Sequence, residues 1–248
     1  GVPLGVKDIE NCAGFATTQG SLLLKDAPKV DKDSRHVARL RAAGAVIVGK
    51  TNMPEFGMDG ATHNKVWGIT RNPWNPAKTP GGSSGGSAVA VACGMSALSL
   101  GTDGGGSVRI PGALTGLFAI KPHFARVPIY PVSATTTLAH VGPMTRTVRD
   151  AALLLSAIAG FDPRDPFAVA EPVPDYLAAC DKPVKDLRIA WSPDLGYASV
   201  QSDVGEIAEQ TALAFEKLGH RVGRATIANT LKDQGVPPSP ERPTSWRT

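Results

Sequence analysis

Apolar residues recur along this chain at spacings that predict helices and strands in turn. A stripe at helical spacing starts after Asp33 and Ser34, which can cap a helix, and stops before Gly44. Residues 45–48 are all apolar and mostly β-branched, which is typical of a buried strand. The chain therefore passes from a helix into a strand through a very short connection.

The alternation continues towards the carboxyl end. Residues 85–98 are small and apolar and predict a helix that other backbone can approach closely, whereas residues 187–191 favour a strand. Two amphipathic stretches predict helices that start at the caps Thr147 and Ser202, and each is followed by a glycine. Alternating elements with short links predict an α/β fold, a mixed β-sheet covered by helices on both faces.

Composition narrows the class of protein. Of the 248 residues, 42% are hydrophobic and 19% charged, which is typical of a folded domain and not of a disordered chain. The net charge of +4 is spread along the sequence, so we expect no nucleic-acid surface. No apolar run approaches the roughly 18 residues that would predict a membrane span. Cys12, Cys93 and Cys180 are odd in number and far apart, which favours a reducing, cytoplasmic compartment without a metal site.

One short motif imitates a nucleotide site. Residues 44–51, GAVIVGKT, match the phosphate-loop pattern G-x-x-x-x-G-K-[ST] letter by letter. That pattern binds phosphate as a loop before a helix, because the loop amides surround the anion. Here the intervening residues favour a strand and a helix precedes them, so we predict no nucleotide site.

A second motif imitates a serine–histidine hydrolase. Residues 81–85, GGSSG, match the nucleophile elbow G-x-S-x-G. An elbow follows a hydrophobic strand, and the proline-rich residues 73–80 cannot form one. His123 and His140 lie downstream, so a serine–histidine triad stays open as an alternative.

Two glycine clusters that contain serine are the most informative chemical feature. In the second cluster a row of four small residues follows Asp103, namely Gly104, Gly105, Gly106 and Ser107. Successive amides in such a row can converge on an anion and form an oxyanion hole. A serine at the end of the row is then placed as an acyl-transfer nucleophile, although glycine clusters also serve ordinary tight turns.

With both clusters in view, the chain resembles the amidase signature family, hydrolases of carboxamides that use a Ser–cis-Ser–Lys triad. The similarity extends over all of residues 80–122. It also includes GVPLGVKDIENCAGFATTQGS at residues 1–21, GKTNMPEFG at residues 49–57 and GPMTRTVRD at residues 142–150. Altogether it covers about residues 1–222.

The resemblance implies a role for each member of the signature. Lys7 corresponds to the base, Ser83 to the bridging serine after a cis peptide, and Ser107 to the nucleophile. The oxyanion hole corresponds to the amides of Gly104, Gly105, Gly106 and Ser107. Polar residues that support the site correspond to Ser84, Asp103 and Arg109. Gly104 stands where threonine or isoleucine is commoner, which leaves its amide available.

Elementary chemistry is consistent with a lysine base. A serine hydroxyl is a weak nucleophile until a base takes its proton. Lysine can act as that base only when it is neutral, and burial favours the neutral form. Lys7 follows the apolar residues 2–6 and so is expected at the end of a strand. Without the resemblance, a surface lysine would be the default interpretation.

The function implied is hydrolysis of a small-molecule carboxylic amide through a Ser107 acyl-enzyme, with Ser83 and Lys7 as proton relay. No metal, organic cofactor, membrane or directly bound nucleic acid is expected, and a homodimer is one option for assembly. Besides the serine–histidine hydrolase, two alternatives stay open. The A subunit of tRNA-dependent amidotransferase, a glutaminase, shares the signature and acts together with partner subunits. The other alternative is a non-catalytic relic, which would fold without reacting.

The carboxyl end departs from the family pattern. Residues 223–248 hold four prolines in a polar stretch without periodicity, so we expect an irregular tail after an amidase domain of residues 1–222. Members of the family are usually much longer at both ends. The domain is therefore expected to be partial, and an isolated partial domain would expose apolar surface and sheet edges.

Overall fold

The computed structural model describes residues 1–224, in which the chain divides into two compact units between Asp181 and Lys182. The strands of the first unit are β1 (Val2–Lys7), β2 (Ala45–Thr51), β3 (His63–Asn64), β4 (Gly68–Ile69), β5 (Leu98–Asp103), β6 (Phe118–Ala119) and β7 (His140–Thr145). Its helices are α1 (Arg35–Ala42), α2 (Gly85–Ala92), α3 (Arg109–Thr115), α4 (Val148–Ile158) and α5 (Tyr176–Cys180). Short 3-10 turns lie at Glu55–Gly57 and Thr136–Leu138.

Five of these strands form one mixed sheet in the order β2-β1-β5-β7-β6. Strand β1 runs parallel to β2 and β5, whereas β7 is antiparallel to β5 and β6. On one face, Leu4 and Val6 pack with residues of α1 and α4 in the main core. On the other face, Ala88 of α2 packs against Val108 and Met144. The predicted mixed sheet with helices on both faces is confirmed.

The predicted strand at residues 45–48 exists, but its burial was predicted wrongly. Strand β2 lies at the edge of the sheet, and Val46 and Val48 remain 54% and 53% exposed. The same strand contains Lys50, so the phosphate-loop imitation is extended backbone rather than a loop. An apolar run predicts a strand well but does not reveal how many neighbours the strand has.

Two details of the predicted helices in this unit were wrong. The helix predicted for residues 85–98 ends at Ala92, because Gly94 turns the backbone into the left-handed region at φ +72° before β5 begins. Ser34 precedes α1 without a capping hydrogen bond from its side chain, and Asp33 instead accepts from the amide of Ala13. The predicted cap Thr147 is confirmed, since its side chain accepts from the amide of Asp150.

The second unit contains β8 (Arg188–Trp191), α6 (Ser202–Leu213), a 3-10 turn at Ala214–Leu218 and β9 (Arg221–Arg224), and the two strands pair in parallel. Ser202 is the first residue of α6 and not its cap, which is Gln201. Gly223 and Arg224, assigned above to the tail, continue β9. The rest of the predicted tail, residues 225–248, lies outside the described residues. Within residues 1–224, none of the helices has the length and apolar character needed to cross a membrane.

Candidate active site

The site is built where β1 ends, and its central group is a buried lysine. Lys7 is the last residue of β1 and its side chain is completely inaccessible to solvent. Its Nζ donates to Oγ of Ser83 at 2.6 Å and to Oγ1 of Thr102 at 2.8 Å. The end of β1 and the first glycine cluster thereby meet at the Lys7 amine.

The environment of Lys7 changes its acidity. Burial penalises the charged ammonium and lowers the pKa of Lys7 from 10.5 to about 7, although the negative charges of Glu10 and Asp103 oppose the shift. A lysine with that pKa is substantially neutral near pH 7, so its nitrogen can accept a proton. This is the property that a general base needs.

The first glycine cluster holds Ser83 in a buried turn. The Gly82–Ser83 peptide is cis, Gly81 has φ +82°, and both lie directly before α2. Ser83 is only 2% exposed, and its hydroxyl oxygen accepts from Lys7. Sequence alone could locate this turn but could not show that it points its hydroxyl at a lysine 76 positions away.

Ser84 connects this turn to the second glycine cluster. Its amide donates to the carbonyl of Ser107 at 3.1 Å. Its hydroxyl donates to the carbonyl of Thr102 and accepts from the amide of Thr102, at 3.1 and 3.2 Å. Ser107 itself is half-buried, and its hydroxyl has no hydrogen-bond partner among residues 1–224. The two serine segments are therefore adjacent, with one free hydroxyl between Asp103 and α3.

Asp103 shapes the loop that carries Ser107. Its buried carboxylate accepts from the amides of Gly106 and Val108 at 2.7 and 3.1 Å, and from two guanidinium nitrogens of Arg109 at 3.0 Å each. Gly106 thus differs from the other members of the predicted oxyanion set, because its amide is already used. For the amides of Gly104, Gly105 and Ser107, no acceptor is found in the described part of the chain.

The same contacts fix the charge of Asp103. Burial alone would raise the pKa of this carboxyl, but the hydrogen bonds from Arg109, Val108 and Gly106 outweigh it and lower the pKa to about 2. A carboxyl whose pKa falls on folding stabilises the fold above its unfolded value, near 4. We therefore expect this contribution at neutral pH and its loss as the pH falls from about 4 towards 2.

Asp103→Asn is expected to lower the free energy of unfolding at pH 7 by about 1–3 kcal/mol, because an amide cannot accept on both sides and leaves buried donors unpaired. Urea unfolding at pH 7 measures the change. The matched control is Asp181→Asn, which removes an exposed ion pair with Arg149 and should cost less than about 0.5 kcal/mol. Equal losses in the two variants would contradict a shaping role for Asp103.

Neither candidate histidine joins a serine in this arrangement. His140 lies with Nδ1 at 2.7 Å from the carbonyl of Leu138 and Nε2 at 3.1 Å from Nζ of Lys121. His123 is exposed and contacts the carbonyl of Phe124. Within the described residues, no hydrogen bond connects either imidazole to Ser83 or Ser107. The geometry gives no support to a serine–histidine pair.

Thr102 was not among the residues predicted for the site. Its hydroxyl accepts the second hydrogen bond of Lys7, and both of its backbone polar groups bind Ser84. The available signal was a hydroxyl at the end of β5, one residue before Asp103. That hydroxyl can be assigned to the site only once β5 is known to lie beside β1 in the sheet.

A cleft of about 340 Å³ lies just past the ends of β1 and β2. Its walls are largely apolar, and its lining residues are Asp8, Phe15, Ala16, Thr18, Lys50, Thr51, Asn52 and Trp67. Asp8 and the partly buried Lys50 form an ion pair at 2.9 Å. Among residues 1–224, no group of three or more histidine, cysteine or acidic side chains is arranged to hold a metal ion.

Comparison with known proteins gives a consistent result. A family model described as Amidase matches residues 1–232. A curated protein from Roseiflexus castenholzii, named as the A subunit of glutamyl-tRNA(Gln) amidotransferase, is 47% identical over 232 residues, which are 93% of this chain and 47% of that protein. The chain thus spans about half the length of the curated relatives it matches.

Solved structures of other proteins share the fold of this chain as well as part of its sequence. The structure of 6-aminohexanoate cyclic dimer hydrolase complexed with substrate is 35% identical, with a TM-score of 0.86 over 90% of this chain and 48% of that one. A bacterial aryl acylamidase, described as belonging to the amidase signature enzymes family, is also 35% identical, with a TM-score of 0.84 over 91% of this chain and 47% of that one.

Proposed function

This chain belongs to the amidase signature family, and from that premise we propose that its protein hydrolyses a carboxylic amide to an acid and ammonia or an amine through an acyl-enzyme on Ser107. The observation that supports this most directly is the 2.6 Å hydrogen bond between the completely buried Lys7 amine and Ser83. A completely buried lysine contributes no charge to the protein surface. With a pKa of about 7, its neutral amine can accept a proton as a base.

In the proposed first half-reaction, Oγ of Ser107 attacks the amide carbonyl carbon and loses its proton to Oγ of Ser83. Ser83 passes its own proton to neutral Lys7. The carbonyl oxygen becomes an oxyanion, and we assign the amides of Gly104, Gly105 and Ser107 to bind it, which is supported by their lack of another acceptor among residues 1–224. Because the amide of Gly106 is bonded to Asp103, we assign Gly106 to holding the loop and not to the oxyanion.

Collapse of the intermediate breaks the carbon–nitrogen bond. The proton held by Lys7 returns through Ser83 to the leaving nitrogen, which departs as ammonia or an amine. A water molecule then attacks the acyl-enzyme, with the same relay removing its proton, and Ser107 is released. Ser84, Thr102 and Arg109 take no part in these proton transfers. They support the steps by fixing the loops.

The direct test is a covalent adduct. The chain is incubated with a serine-directed fluorophosphonate, and the modified peptide is identified by mass spectrometry. This probe needs only a nucleophile, its relay and oxyanion donors, all of which lie in residues 1–224. The expected result is one adduct on Ser107. An unmodified chain would favour the non-catalytic relic, and modification at another serine would contradict the assigned nucleophile.

The rate of this modification is expected to rise about tenfold per pH unit below about pH 7 and to level off above it, because only neutral Lys7 accepts the proton. Initial rates measured from about pH 5 to pH 9 test the profile, with Lys7→Met as the control that should lack the inflection. A rate independent of pH across this range would contradict a lysine base of lowered pKa.

A second candidate function is favoured by the name of the curated relatives. The relatives from Roseiflexus castenholzii and Rubrobacter xylanophilus, 47% and 45% identical, are both named as the A subunit of an amidotransferase. In that case partner subunits would receive the ammonia that the same relay releases. Purification from the native host distinguishes the two: a stable complex with other chains favours the amidotransferase, and a monomer or homodimer favours the free amidase. The free thiols of Cys12, Cys93 and Cys180 are consistent with the cytoplasm for either.

A further inference from the structure

A buried threonine outside the signature contacts both ends of the turn that carries Ser83. Thr62 is 1% exposed and lies just before β3. Its Oγ1 donates to the carbonyl of Gly81 at 2.8 Å and accepts from the amide of Gly85 at 3.1 Å. One hydroxyl thus joins the residues immediately before and after the segment 82–84, using its single proton and a lone pair.

The backbone next to Thr62 leaves this segment little room to move. A Cβ added to Gly82 would lie 3.0 Å from backbone atoms of Ala61, so only glycine fits there without a shift. A Cβ on Gly85 would lie 2.2 Å from Oγ1 of Thr62 itself. The turn therefore packs directly on residues 61–62, and Thr62 adds direction to that contact through its two hydrogen bonds.

Thr62 is in turn held by its own neighbourhood. Its carbonyl accepts from the amide of Thr70 at 3.0 Å, which closes the β3–β4 hairpin. Asn52 binds the same hairpin through Thr70 at 3.0 Å, and its carbonyl accepts from the amide of Gly86 at the start of α2. The hairpin and the start of α2 thereby form one hydrogen-bonded body around the turn.

We propose that Thr62 is a positioning residue for the proton relay, whose hydroxyl sets the place of Ser83 between Lys7 and Ser107. The role rests on the proposed function, because Thr62 contacts no reacting atom and acts only through the 82–84 segment. The Ser83 hydroxyl accepts a hydrogen bond from the Lys7 amine, and the Ser84 amide donates one to the Ser107 carbonyl. A shift of this segment would therefore disturb both ends of the relay. Misplacement by about 1 Å in such a relay can slow a reaction about 100-fold.

The test compares three variants of the full chain by fluorophosphonate modification. Thr62→Val removes the hydroxyl and keeps the shape, and Thr62→Ser keeps the hydroxyl. Thr145→Val is the matched control, because Thr145 is equally buried and its hydroxyl also bonds a backbone carbonyl, that of Thr147, away from the turn. Saturation kinetics separate the limiting rate of modification from the affinity for the probe, and thermal unfolding gives the folded fraction.

We expect the limiting rate of Thr62→Val to fall about 100-fold with little change in probe affinity, and Thr62→Ser to recover most of it. Thr145→Val should lose stability but modify at the wild-type rate. A wild-type rate in folded Thr62→Val, or no recovery in Thr62→Ser, would overturn the positioning role. If Thr62→Val does not fold, Thr62→Cys replaces it, with the same slowing expected from its weak thiol donor.

The results for the wild-type chain and for Thr62→Val together separate the positioning role from the proposed function. A wild-type chain that forms no adduct on Ser107 overturns both the acyl-enzyme and the positioning role. A normal wild-type adduct together with a normal rate in Thr62→Val overturns the positioning role alone.

Discussion

Ser107→Ala is expected to abolish fluorophosphonate modification and amide hydrolysis, with a loss of about 10⁴-fold or more, because the variant lacks the nucleophile itself. The fold should survive, since the Ser107 hydroxyl has no hydrogen-bond partner among residues 1–224 and alanine leaves no buried group unpaired there. Mass spectrometry of the treated protein and its circular dichroism measure the two halves of this expectation.

Ser156→Ala is the matched control for that experiment. Ser156 is also half-buried, and its hydroxyl donates within α4 to the carbonyl of Ala152, away from both glycine clusters. It should react at the wild-type rate. Full modification of Ser107→Ala at another serine would show that the nucleophile had been assigned wrongly.

Lys7→Met is expected to lower the acylation rate by about 10³-fold, because it removes the base but fills nearly the same buried space. Ser83→Ala interrupts the path between base and nucleophile and should have a similar effect. Since both residues serve one proton path, the double variant should be little slower than the slower single variant. Rate constants for the wild type, both single variants and the double variant complete the cycle.

Additive losses in this cycle would contradict a shared path and indicate two independent contributions. His123→Ala and His140→Ala are the controls, and each should retain most of the wild-type rate. Loss of reaction in either would restore the serine–histidine alternative, against the geometry in which both imidazoles contact other groups.

Much of the fold follows from local sequence. The apolar residues before Lys7 form β1, the stripe after Thr147 forms α4 with the predicted cap, and the chain alternates between helices and strands as expected. These features depend on residues within about four positions of one another, so periodicity and capping preferences are sufficient to predict them. The resemblance to the amidase signature, carried by residues 80–122, was likewise evident from the amino-acid sequence alone.

The tertiary structure decided the properties that depend on residues far apart in the sequence. The sheet order makes β2 an edge strand, brings Thr102 to an amine 95 positions away and surrounds Lys7 so completely that its pKa falls to about 7. Only the folded loop shows that the amide of Gly106 is used by Asp103, and only the packing of a hairpin on a turn reveals Thr62. Burial and hydrogen-bond partners are set by which elements pack together, and packing joins residues whose separation along the chain leaves no periodic signal.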